Sequence, residues 1–367
     1  MFLVESVVEL AESQFHWIWN HYEILLFKDR TTLENVCAIL HISKKKLLRY
    51  MRQGLIKRHS SSIKPHLTDE NKKVRLQWCL GMLDQDSMPN DPKFKGLFDV
   101  FIDEKWFYLT RKSERYYLLA DENEPLRTCR SKNNISKIMF LCVTARPRFD
   151  ENGVCIFDGK IGCFPLVTFE RAKRSSVNRP AGTMEVKPIA SITRDVIREF
   201  MIDKVLPAIR AKWPREDVNK PIYIQQDNAP SHIKHDDPQF LEVAKQDGFD
   251  IRVICRPLNS PDFNILDLGF CCAIQAIQYK KVAKTVQDLV PIVQQAFQDY
   301  SPRKANRIYL TLQLVWKEAM KVQGSNKYNI PHMKKQSLER QGCLPVQIAC
   351  EAELVAEAST KLVAYNM

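Results

Sequence analysis

The stretch IYIQQDNAPSHI, residues 222–233, constrains this chain most. Its apolar and β-branched opening, between Pro221 and Asp227, predicts a buried strand that ends on a carboxylate. Asn228, Ala229 and Pro230 do not extend a strand, so Asp227 falls at its carboxyl end. That edge is where α/β sheets gather ligands and metals. A single strand-end aspartate is an ordinary structural feature, but two more stretches carry acids in comparable places. FDVFIDEKWF, residues 98–107, reads as a strand bearing Asp103 and Glu104. NSPDFNILDLGF, residues 259–270, sets Asp262 and Asp267 around a turn that leads into a helix.

Three acids from separate elements suit one chemistry in particular. Phosphodiester cleavage by two metals needs acidic oxygens that hold Mg²⁺ or Mn²⁺ ions roughly 3.5–4 Å apart. Asp103 and Asp227 would come from adjacent strands and the third acid from a helix. Alternation along a strand sends Asp103 and Glu104 to opposite faces, so only one of them serves. Spacing alone does not separate Asp262 from Asp267.

The partner follows from charge. The chain has 367 residues and a net charge of +12, so it prefers polyanions. Residues 41–75 hold eleven Lys or Arg against two acids, which concentrates +9 of that charge in one segment. Just ahead of it, Thr31 or Thr32 caps a helix carrying Leu33, Val36, Ala38, Ile39 and Leu40. After a break at His41 and Ile42, Ser43 caps a second helix with Leu47, Leu48 and Met51 on one face. Its other face shows Lys44, Lys45, Lys46, Arg49 and Arg52, and Lys57 and Arg58 follow. Two short helices, a tight turn and a basic second helix predict a helix-turn-helix that binds double-stranded DNA. Lysines would hold phosphates, while Arg49 and Arg52 would reach base edges or a groove.

No run of 18 apolar residues occurs, so no membrane span is expected. MFLVESVVEL lacks a basic opening and makes a poor signal peptide. The 11 cysteines are scattered without a CxxC, which predicts reduced thiols in a nuclear or cytosolic protein. His232 and His235 have metal-pair spacing, but no thiolate pair stands near enough in sequence to make zinc the better reading. Lys44–Lys46 and the cluster Arg171, Lys173, Arg174 resemble nuclear import signals.

The predicted organisation is α/β: a ribonuclease H-like mixed-sheet catalytic core preceded by an all-α helix-turn-helix arm. Residues 1–30 form an N-terminal extension without a motif, 31–65 the DNA-binding module and 66–97 a helical linker. Residues 98–285 form the catalytic domain, with an insertion at 150–190, and 286–367 a C-terminal helical region. FDVFIDEKWFYLT, RYYLLAD and KIMFLCVTARP read as three successive strands, and VCIFDGKIGCFPLV as a hairpin turning at Asp158-Gly159. The polar loop 121–137 carries Arg127, Arg130 and Lys132 as further candidate DNA contacts.

Several stretches together resemble the plant-type mariner-like transposases. They are FIDEKWFYLTRKSERYYLLADENEP, SKIMFLCVTARPRFD, FDGKIGCFP, AKRSSVNRPAGT, IYIQQDNAPSHI, PLNSPDFNILDLGF and GSNKYNIPHMKK, and they span roughly residues 31–350. That family uses an Asp-Asp-Asp triad with 39 residues between its second and third acids, the separation of Asp227 and Asp267 here. The resemblance therefore implies Asp103, Asp227 and Asp267 as catalytic metal ligands for two Mg²⁺ or Mn²⁺ ions, with Asp262 a turn residue. It implies a nuclear transposase that acts as a homodimer, cuts at terminal inverted repeats and joins the ends to target DNA at TA dinucleotides. It also puts the loop 121–137 where the family has a clamp reaching the partner subunit. Family members carry two helix-turn-helix modules. This chain has room for one, Pro230 replaces a basic residue, and Cys271-Cys272 replace aromatics. Those departures imply a shortened copy. The alternative they support is a host-retained DNA-binding protein without transposition activity.

Overall fold

The computed structural model describes residues 26–58, 63–119, 121–129, 131, 133–175 and 180–366. Arg130, Lys132 and most of the N-terminal extension lie outside them. The chain divides into two units, residues 1–64 and 65–367.

In the first unit, α1 (Leu33–Ile39) is capped by Thr32, whose side chain accepts from the Asn35 N–H at 3.1 Å. Helix α2 (Lys44–Arg52) is capped by Ser43, which accepts from the Lys46 N–H at 3.3 Å. Between them His41 takes a left-handed φ of 50°, which makes the break. Val36, Leu40, Leu47 and Tyr50 form a small core. The inward set differs from the expected one. Tyr50 is buried, whereas Leu48 is exposed, because the α2 stripe turns one position toward Tyr50. Lys44, Lys45, Arg49, Arg52, Lys57 and Arg58 are all exposed.

The second unit is built on a five-stranded sheet. Its strands are β1 (Val100–Tyr108), β2 (Lys137–Ala145), β5 (Lys160–Pro165), β8 (Ile222–Gln226) and β9 (Ile251–Cys255), in the order β5-β2-β1-β8-β9. β2 runs antiparallel to β1 and to β5, while β8 is parallel to both β1 and β9. Short strands β3 (Arg148–Phe149) and β4 (Cys155–Phe157) pair with each other, as do β6 (Val167–Arg171) and β7 (Met184–Pro188).

Alternation on β1 divides the core in two. Val100 and Ile102 face a layer containing Ile197, Val205, Leu206 and Phe240. These come from α4 (Arg194–Phe200), a π turn (Met201–Val205), α5 (Leu206–Lys212) and α6 (Pro238–Ala244). Phe101 and Phe107 face the opposite layer. It is formed by α3 (Asp69–Gly81), α7 (Cys271–Gln278), α8 (Val286–Asp299), α9 (Pro302–Lys321) and α11 (Ala352–Asn366), with the short α10 (Lys335–Arg340) before the last. Each fully buried Phe of this layer contributes about 1.5–3 kcal/mol by leaving water. The linker helix α3 and the C-terminal helices thus belong to the same body as the sheet, not to separate regions.

Two expected strand arrangements do not form. RYYLLAD is an exposed connection with Tyr117 92% and Leu119 75% accessible. β1 already has β2 on one edge and β8 on the other, so the segment that follows it cannot pair back onto β1. The chain does turn at Asp158-Gly159, but β4 and β5 then go to different partners. Gly159 sits at φ 73°, and a Cβ there would fall 2.0 Å from the Ala145 carbonyl oxygen. The turn therefore packs on the end of β2 and does not close a hairpin. The described cysteines are all free thiols.

Candidate active site

The parallel pairing of Val100 with Ile224 and Phe101 with Gln225, continued along both strands, brings Asp227 level with Asp103. Asp227 follows the last residue of β8, and Asn228 and Ala229 end the strand as their residue types predict. The Ala229 N–H donates to Asp227 Oδ1 at 2.9 Å. Asp267 enters from the π turn Leu266–Phe270 that begins α7, where Gly269 adopts φ 151°. Asp227, Arg256 and Asp267 line one open cleft of about 310 Å³.

Asp103 joins this group through Asn264. The Asn264 Nδ2 donates to Asp103 Oδ2 and, at 3.3 Å, to Asp267 Oδ2. Its Oδ1 accepts from the Leu266 N–H at 3.1 Å, which fixes the amide orientation. Burial, and then the Asp267 charge, push the Asp103 carboxyl up to about 8, against the pull of Arg256. Arg256 Nη2 lies 3.9 Å from Asp103 Oδ2, while its Nε and Nη1 are buried without a hydrogen-bond partner.

On the other face of β1, Glu104 accepts from His232 Nε2 at 3.0 and 3.1 Å. His232 Nδ1 lies 2.7 Å from Asp227 Oδ1. Burial pushes the His232 imidazolium down, but its hydrogen bonds to Asp227 and Glu104 outweigh that and raise it to about 11. Burial likewise raises Asp227, yet the His232 hydrogen bond and charge hold its carboxyl below the usual carboxylate range. The result is a chain of acid, imidazolium and acid that fixes the side chain of Asp227.

Asp262 is occupied elsewhere. Arg75 of α3, fully buried, donates through Nη1 and Nη2 to its two oxygens at 2.8 and 2.7 Å. Tyr328 also donates to Asp262, Arg75 Nε donates to the Gly324 carbonyl at 2.8 Å, and the guanidinium lies 4.0 Å over the Phe263 ring. Gly324 is required here, since a Cβ would meet the Lys72 carbonyl oxygen at 2.0 Å. Asn326 Nδ2 donates to the Pro65 carbonyl at 2.8 Å, and Pro65 is one wall of the cleft. The first half of GSNKYNIPHMKK is thus a lock on the turn that carries the third acid. Arg127 is likewise engaged within its own loop: it donates to Thr110 and to the Arg111 carbonyl, and pairs with Glu114 at 3.3 Å.

Sequence reasoning missed Asn264 and Arg256 as site residues, and it weighed Glu104 only as an alternative to Asp103 and His232 only as a metal pair with His235. Alternation rightly sent Glu104 to the far face, but no local signal shows that the loop after β8 brings His232 to that face.

No protein-family model matches the chain. No curated protein matches it either. Solved structures do. A pre-cleavage Mos1 transpososome is similar at a TM-score of 0.55 and 15% identity, over 83% of this chain and 78% of that one. The Mos1 transposase paired-end complex with the left transposon end gives 0.54 and 16% over the same shares. The Mos1 strand transfer complex gives 0.54 and 15%, again over 83% and 78%. The core is ribonuclease H-like. Its sheet has three antiparallel strands followed by two parallel ones.

The ribonuclease H-like core offers a donor set that suits a divalent cation. Among the described residues no three His, Cys, Asp or Glu close into a finished metal cage. Asp103 and Asp267 nonetheless share one amide hydrogen-bond donor, and the Asp267 charge raises the proton affinity of Asp103, a repulsion that a hard cation relieves. Glu104, held against His232, is a positioning residue for Asp227. Replacing it by Ala should weaken Mn²⁺ binding about 10–100-fold, the usual cost of an outer partner. Glu104→Gln, which keeps an acceptor, should lose less. Mn²⁺ affinity at the wild-type level in Glu104→Ala would show that the imidazolium holds Asp227 unaided.

Proposed function

We propose that this chain is a mariner-type DNA transposase that cleaves transposon ends and transfers them into target DNA. The observation that carries this reading is the convergence of Asp103 and Asp267 on Asn264, with Asp227 in the same cleft, on a fold similar to Mos1 transposase. Asp103, Asp227 and Asp267 would hold two Mg²⁺ or Mn²⁺ ions. Such ions activate the attacking oxygen and neutralise the leaving one. The chain's own groups do the rest. His232 and Glu104 keep Asp227 ionised and aimed. Asn264 spaces Asp103 from Asp267. Arg256, with two buried N–H donors unengaged, offers a guanidinium to a phosphate in the cleft. Water and a DNA 3′-hydroxyl are the nucleophiles, so no Ser, Cys or His nucleophile is needed.

The basic face of α2 supplies the duplex contact, with Lys44, Lys45, Lys46, Arg49, Arg52, Lys57 and Arg58. Mos1 is captured in complexes with transposon ends and with Mn or Mg. By likeness we assign this chain terminal inverted repeats and TA target sites as DNA substrates, action as a homodimer, and the nucleus as its place of work. The test is incubation of the full chain with labelled terminal repeats and Mg²⁺. Cleavage at the element end supports the reading, and intact ends under conditions where the duplex is bound oppose it.

The metal assignment has a pH signature. The Asp103 carboxyl titrates near 8 in the folded protein, against an ordinary value of 3.8. A folded state that holds a proton more tightly than the unfolded one loses stability as pH rises through that window. Metal-free protein should therefore be less stable at pH 8.5 than at pH 5.5. Mn²⁺ should restore the loss at the higher pH, because it displaces the proton and takes its place. Thermal midpoints in EDTA and in Mn²⁺ at the two pH values check this. A midpoint equally insensitive to Mn²⁺ at both would contradict it.

A further inference from the structure

The second half of GSNKYNIPHMKK has no part in the cleft, and it builds a basic pocket of its own. Arg307 of α9 and Lys334, Lys335 and Arg340 at α10 line a cavity of about 540 Å³, with Gln336 and Ser337 as neutral donors. Among the described residues no carboxylate lies within 4.0 Å of Lys334, Lys335 or Arg340, and the nearby Glu339 is engaged with Arg307 at 3.5 Å. Lys334 takes a left-handed φ of 48°, which a lysine adopts only under constraint. The turn that imposes it is held by the Lys334 N–H donating to His332 Nδ1 at 3.3 Å and by the Ser337 N–H donating to the Lys334 carbonyl at 2.8 Å. Burial, and then Arg307, push the half-buried Lys335 ammonium down. Cations gathered around a cavity without counter-charges are unfavourable until an anion arrives. Lysine point charges, arginine donors and small neutral donors together suit the oxygens of a phosphate.

We propose that this pocket takes a backbone phosphate of a bound DNA strand, as a contact separate from both the α2 face and the three acids. The ligand rests on the DNA-transposase reading, but the pocket does not depend on cleavage. The test uses the full chain in EDTA, so the metal site plays no part. Lysine acetylation of the wild type, read by mass spectrometry, compares free protein, protein with a 30-bp duplex and protein with inorganic pyrophosphate. Salt titrations of duplex binding then compare wild type with the variant K334Q/K335Q/R340Q. The expected result is several-fold protection of Lys334 and Lys335 by the duplex. The salt slope of the variant should fall by about 1, since one neutralised phosphate contributes about 0.9. Protection by pyrophosphate but not by duplex would reassign the pocket to a small phosphate compound and overturn the DNA contact. So would a duplex that binds and leaves both lysines unprotected, whatever the variant's slope. No duplex binding at all would instead remove the DNA-transposase reading and this proposal with it.

Discussion

Asp227→Asn should lower cleavage of terminal-repeat ends by about 10³-fold or more, while duplex affinity stays level or rises slightly. The size follows from the role: a group that acts on charge developing in the transition state leaves little behind when it is lost. An amide in place of the carboxylate is a poor ligand for a hard divalent cation. It also leaves the His232 imidazolium with Glu104 as its one anionic partner among the described residues. The unchanged affinity follows because one negative charge beside the phosphates has been removed. Single-turnover cleavage in Mg²⁺ alongside a binding titration reads both. Cleavage within tenfold of wild type would take Asp227 out of the mechanism.

Arg75→Ala should destabilise the main body by about 3–5 kcal/mol, the range for removing one partner of a buried ion pair. The side chain is fully buried, and its loss takes both guanidinium donors from the Asp262 carboxylate and the Nε donor from the Gly324 carbonyl at once. Arg75→Lys should recover little, because an ammonium cannot reproduce the two-pronged contact. The same turn carries Asp267, so Mn²⁺ affinity should weaken as well. Urea unfolding checks the first point as a lower midpoint at unchanged slope. A loss below about 1 kcal/mol would mean that the fork holds nothing together.

Sequence alone made some of this legible, and physics explains where it stopped. Asp227 was visible because an apolar run ends on it, and Asp103 because it sits in a strand of the same kind. The mixed sheet followed from their order. The caps at Thr32, offered beside Thr31, and at Ser43 were visible because capping is a contact over three residues. The partners of the acids were not visible. Glu104 and His232 are 128 residues apart, and Arg75 and Asp262 are 187 apart. Only the folded topology brings such pairs together. RYYLLAD misled because strand composition does not show which edges are taken, and both edges of the preceding strand β1 are. The C-terminal helices were legible as helices, but not as one wall of the core.

Three acids would build one shared metal centre, and Mn²⁺ binding tests that centre most directly. Mn²⁺ would be titrated by electron paramagnetic resonance into wild type, Asp103→Asn, Asp227→Asn, Asp267→Asn and Asp262→Asn at pH 8. The first three variants should each lose the tight Mn²⁺ site, with Asp262→Asn weakened only through the turn it anchors. Wild-type Mn²⁺ affinity in any one of Asp103→Asn, Asp227→Asn or Asp267→Asn would contradict the shared site.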